Sequence, residues 1–124
     1  MKATKTTTTI WMILFMLIMA IPAHAALKLS GKGEKLTFDP ASFPPQLSAN
    51  WQIMKVKCIK CHTMERTVVS ITTGIAPISG QPFDRNATKA YGIKMMRKPD
   101  SNMNKQEVKA TVDLMNWMLE EGSR

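Results

Sequence analysis

Cysteine and histidine are scarce in this chain, two of each among 124 residues. There is also no run of buried strands, no internal repeat of useful length and no nucleic-acid recognition motif. Without strand runs beside them, Cys58 and Cys61 lack the βαβ setting of a thioredoxin-like C-x-x-C. The charge is one-sided, 17 basic against 9 acidic side chains for a net +8. With no recognition motif visible, that excess is a poor fit to nucleic acid.

The one long apolar run lies at the start. Lys2 and Lys5 precede Ile10 to Ile21, Pro22 ends the run, and Ala23-His24-Ala25 offers small residues around a cleavage point before Ala26. This is the layout of a signal peptide over residues 1–25, and its dozen apolar residues fall short of the roughly 20 a membrane span needs. No cysteine stands near the cleavage point to carry a lipid. The expectation is a periplasmic protein with no stable membrane span after cleavage. Cleavage leaves 99 residues, a single small domain, and loss of Lys2 and Lys5 leaves 15 basic side chains against 9 acidic, net +6. His24 departs too, so His62 is the only imidazole left. A structural zinc site needs four ligands, and three cysteine or histidine groups remain.

What is present is Cys58-Ile59-Lys60-Cys61-His62. C-x-x-C-H is the pattern for covalent haem c attachment. Two thiols add across the porphyrin vinyl groups, and the adjacent imidazole becomes the proximal iron ligand. Export agrees, since c-type haem is attached outside the cytoplasm in bacteria. One haem uses both cysteines, which leaves none for a disulfide or an iron–sulfur cluster. With a single imidazole, bis-histidine ligation within the chain is impossible. A covalently held cofactor also suits so small a core.

The rest of the pattern reads all-α. Residues 26–47 form an arm punctuated by glycine and proline, in which Leu27/Leu29 and Leu36/Phe38 alternate around Gly31-Lys32-Gly33: either a small hairpin or an arm draped over the surface. Residues 48–124 form the main domain. Trp51, Met54, Cys58 and Cys61 recur at helical spacing from Ser48 towards Val69. Thr73 to Pro82 is a loop dense in glycine and proline. A second helix runs from Asp84 or Asn86 to about Arg97, despite Gly92. The last begins at an Asn104–Glu107 capping box, with Met103 placed as a hydrophobic staple. Val108, Val112, Met115 and Leu119 then step along one face, and Gly122 follows the last turn.

This order of parts, over about residues 46–121, resembles the class I monohaem cytochromes c. The specific element is Cys58 to His62, and the segment from Lys94 to Met103 is similar to the M-x-x-K-P-G-S stretch of small bacterial members. Asp100 stands where glycine is usual, and the arm at 26–47 has no counterpart in the minimal pattern. The resemblance implies a small helical domain wrapped around one haem, with Met95 at the M-x-x-K-P position as distal ligand. Met96, Met103, Tyr91, a lysine or an open site stay open as alternatives. It also implies a loop proline whose carbonyl accepts from the proximal histidine: Pro77, with Pro82 second. Met54, Met115 and Met118 read as core filler.

Lys55, Lys57 and Lys60 flank the attachment motif, and Lys94, Arg97 and Lys98 flank the expected distal methionine. If both segments border one exposed haem edge, a positive rim would favour redox partners with acidic docking surfaces. Two functions fit a haem here. A one-electron carrier needs histidine and methionine on the iron, and methionine raises the potential. A gas sensor or peroxidase-like subunit needs an open sixth position and a polar distal group. No histidine is free for that role and arginine is scarce (Arg66, Arg85, Arg97), so the expectation is an electron carrier without enzymatic activity or small-molecule substrate. It could still serve as one subunit of a larger redox complex.

Overall fold

The computed structural model describes residues 26–122. The expected signal segment and its cleavage point lie outside the described residues. Within them, four α-helices carry the fold: α1 (Ser48–Lys57), α2 (Glu65–Thr73), α3 (Arg85–Met96) and α4 (Lys105–Gly122). The chain is all-α apart from one small hairpin. No helix among the described residues is long and apolar enough to cross a membrane.

The hairpin is the one the alternation of leucines foretells. β1 (Leu29–Ser30) pairs antiparallel with β2 (Thr37–Phe38), Leu29 opposite Phe38 and Ser30 opposite Thr37. Gly31 makes the turn at φ +80°, where a Cβ would fall 2.1 Å from the carbonyl oxygen of Lys35, so only glycine fits. Two proline-started turns, Pro40–Ser42 and Pro45–Leu47, then lead into α1. The arm is part of the core. Phe38 is fully buried, and it meets Trp51 edge-on at 6.3 Å between ring centroids. Phe43 packs 5.3 Å from Trp51 and 5.8 Å from Trp117, tying the arm to both α1 and α4.

The helical stretch expected from Ser48 to Val69 is broken at Cys58–His62. α1 buries Trp51 and Met54, and its last helical bond runs from the Cys58 N–H to Met54. A 3-10 turn covers Cys58–Lys60, and α2 starts afresh at Glu65. Cysteine, histidine and threonine are weak helix formers, and the apolar face lapses: Ile59 is 53% exposed and Cys61 lies at the surface. α2 ends on Gly74, whose φ of +67° lets its N–H reach the Ser70 carbonyl. The loop that follows is closed on itself by an Ile75–Pro82 bridge, with the Phe83 N–H donating to Gly74 at 2.7 Å.

Asp84 caps α3 by accepting from the N–H groups of Asn86 and Ala87, both at 2.9 Å. Gly92, unfavourable for a helix by propensity, sits where α3 crosses α4. A Cβ there would lie 2.9 Å from Val112 Cγ2 and 3.1 Å from Val108 Cγ1. Below the crossing, the buried Thr88 hydroxyl bonds to the Arg85 carbonyl and pairs with the side-chain amide of Asn116 at 2.7 Å. α4 packs against α1, α2 and α3, so its buried face is wider than the predicted stripe. Thr111, Leu114 and Met118 lie deepest, while Val112 and Leu119 are half-buried. Gly122 belongs to the last turn rather than following it.

The capping box of α4 is formed as predicted. The Glu107 N–H donates to Asn104 Oδ1 and the Asn104 N–H to Glu107 Oε2, both at 2.9 Å. Asn104→Ala removes one of these and is expected to cost about 1 kcal/mol. For a domain of this size that lowers the calorimetric midpoint by about 4–8 °C.

Candidate functional site

The turn at Cys58–Lys60 opens onto a cleft of about 1010 Å³, part of it continuous with solvent. α1 contributes its floor through Met54, and α4 through Thr111 and Met115. α2 presents Arg66, Thr67 and Ser70; Ser70 satisfies its own hydroxyl by donating to the Arg66 carbonyl at 2.9 Å. The loop after Gly74 forms a lip of Ala76, Pro77 and Ile78. α3 closes the side with Tyr91, Gly92 and Met95, and the Tyr91 hydroxyl meets Ser79 Oγ at 3.1 Å across the lip. Phe83, 5.6 Å from the Tyr91 ring, backs that wall.

Cys58, Cys61 and His62 all line this cleft. The two thiols differ. Burial pushes the Cys58 thiol up to about 11, so it is protonated at neutral pH, whereas Cys61 is exposed. His62 Nδ1 lies 2.9 Å from the Thr63 carbonyl. A carbonyl only accepts, so Nδ1 is the donor in this contact and Nε2 is the ring nitrogen left for a metal. The expected acceptor was Pro77. Pro77 lines the cleft in the lip beside Ile78, while the hydrogen bond that the ring makes here is to Thr63.

Among the methionines considered for the distal position, Met95 and Met103 line the cleft and Met96 does not. Met96 faces an adjoining polar hollow with Pro99, Asn102 and Asn104, to which Met103 also contributes. Met54, Met115 and Met118 are buried, in keeping with a core role, although Met54 and Met115 also reach the cleft wall. The cationic rim needs revising at one residue. Lys57 is not a free surface charge: it pairs with Glu107 Oε1 at 3.1 Å and donates to the Asn102 carbonyl. Lys94 sits 5.8 Å over the Tyr91 ring, and Lys98 lines the cleft itself. Lys55, Lys60 and Arg97 are exposed.

The polar wall from α2 was not anticipated. Its signal was present, since Arg66, Thr67 and Ser70 fall three and four apart, but an unbroken helix from Ser48 would have rotated them elsewhere. The donor set suits a haem. Two thiols and an imidazole with a free nitrogen stand at one side, thioethers line the wall, and the remaining surface is mainly apolar. The charged groups lining the cleft are Lys57, Arg66 and Lys98, with no carboxylate among the described residues there, which is compatible with the anionic propionates of a haem. No cluster of three or more His, Cys, Asp or Glu able to hold a bare metal ion occurs among the described residues. Comparison with protein-family models, with curated proteins and with solved structures gives no match.

Proposed function

We propose that this chain is an exported monohaem cytochrome c of the class I kind, a one-electron carrier between redox partners in the periplasm. The observation that carries the reading is one cleft lined by Cys58, Cys61 and His62 together with Met95 and Met103. Cys58 and Cys61 would hold the haem through thioether bonds, and His62 Nε2 would be its proximal ligand. The haem supplies reversible one-electron chemistry at its iron. Met95 is the proposed distal ligand; Met103, which lines the same cleft, is its competitor.

The chain's own residues set the conditions for that chemistry. Thr63 holds the His62 ring in the tautomer that frees Nε2. Met54, Met115 and Phe83, each buried, keep water from the apolar faces. Arg66 and Lys98 offer cations to the porphyrin carboxylates. Lys55 and Lys60 stand exposed beside the motif, and a partner with an acidic docking face would meet them at a rate that falls with salt.

Two measurements test this. Colour that stays with the polypeptide after denaturation and extraction into acidified organic solvent establishes covalent attachment; colour that leaves it defeats the proposal. In the oxidised protein, a far-red methionine-to-iron band is expected, which Met95→Ala abolishes and Met103→Ala leaves in place. The Met95 variant should also have a lower reduction potential, by some fraction of the roughly 0.8 V over which axial ligands act. High-spin iron in the unaltered protein, with rapid carbon monoxide binding after reduction, would show an open sixth position and a ligand-binding role instead.

A further inference from the structure

We propose that Lys57 is a positioning residue, a latch that holds the segment between Met96 and Met103 against the cleft and so fixes the methionine wall relative to the attachment motif. The inference rests on the haem reading above for its functional meaning, though not for its geometry. Lys57 ends α1 and immediately precedes Cys58. From there its side chain, 18% exposed, reaches the opposite wall. Nζ donates to the Asn102 carbonyl and pairs with Glu107 Oε1 at 3.1 Å. The other carboxylate oxygen, Glu107 Oε2, accepts the Asn104 N–H at 2.9 Å. One ammonium group thus ties the end of the first helix to the loop and to the start of the last helix.

The loop needs such a tie. It runs from the end of α3, where Met95 lies, to Met103, just before α4. Its backbone passes through Asn102 at φ +46°, a left-handed conformation that a non-glycine residue keeps only where its surroundings enforce it. Its internal bonds are few. Ser101 is buried, its hydroxyl donating to the Met96 carbonyl at 2.9 Å and its N–H to Lys98 at 3.1 Å. Lys57 reaches the residue that follows, at the left-handed position. Met95, in the last turn of α3, and Met103 lie on either side of that anchor, so releasing it loosens the segment that sets Met103 relative to Met95.

Hydrogen exchange on the purified, haem-loaded protein reads the latch directly. Lys57→Met keeps the apolar stem and removes the ammonium. Amides in 97–104 should then exchange about tenfold to a hundredfold faster, the factor for one lost charge-assisted hydrogen bond. Amides in the buried part of α4 around Leu114 should not change. The far-red band should also yield to added imidazole at lower concentration, with Lys57→Arg restoring most of both properties. Unchanged exchange in the loop, faster exchange everywhere alike, or an unaltered imidazole response would each overturn the proposal. Absence of covalent colour in the parent protein is a separate result: it would defeat the haem reading and leave the exchange prediction standing.

Discussion

Replacing Cys58 and Cys61 together by alanine is expected to yield a polypeptide whose colour, if any is bound, passes entirely into acidified organic solvent. The unaltered protein should keep all of its colour under the same treatment. A tether holds its cofactor at an effective concentration on the order of millimolar or above, independent of dilution. Without it, occupancy depends on free haem, and the stabilisation that binding contributes falls with the free concentration. The cleft of about 1010 Å³ is walled by Met54, Met115, Phe83 and Ala76, all buried and all apolar. In the double variant those surfaces face water or collapse. The thermal midpoint should therefore drop well below that of any single surface substitution.

Cys58 gives a pH signature. In the haem-free chain the Cys58 thiol is raised by burial from 9.0 to about 11, so between those values the folded chain binds more protons than the unfolded one. Stability from this group is complete below pH 9 and is lost as pH climbs towards about 11. A thioether sulfur has no proton to lose. Alkaline unfolding of the haem-free chain that is absent once haem is attached is the expected outcome, measured by circular dichroism along a pH series.

Phe38→Ala should be the most damaging single change outside the cleft. Phe38 is fully buried in contact with Phe43 and Trp51, at 6.4 and 6.3 Å between centroids. Emptying a buried phenylalanine site costs about 3–5 kcal/mol, a large part of the roughly 5–15 kcal/mol that a domain has in total. Denaturant titration of the haem-loaded protein should show a midpoint shift of that size with the far-red band intact in the folded fraction. If the arm were merely draped over the surface, the loss would stay within about 0.5 kcal/mol.

How much of this was readable beforehand differs by element. The Asn104–Glu107 box and the hairpin about Gly31 were legible because each is a local signal whose bonds stay within a few residues. The break between α1 and α2 was hidden, because Trp51, Met54, Cys58 and Cys61 keep helical spacing through the point where the backbone departs from it. Gly92 read as a helix weakness for want of its partners, Val108 and Val112, which lie sixteen and twenty residues on. His62 was identifiable from its neighbours in sequence, but its carbonyl partner was not, since the acceptor depends on how tightly the chain turns after Lys60. That Met95 lines the cleft and its neighbour Met96 does not is a matter of side-chain direction at a helix end, which spacing alone leaves open.

Phe43 resting on Trp117 and α1 packing on α4 have a consequence for the order of events in the cell. If the chain is exported as proposed, translocation with its N-terminal part leading would deliver Cys58, Cys61 and His62 about 45 residues before the helix that completes their enclosure. Until that last helix arrives, the two thiols would stay uncovered. Once it docks, the doorway narrows, and one sulfur is already half out of reach.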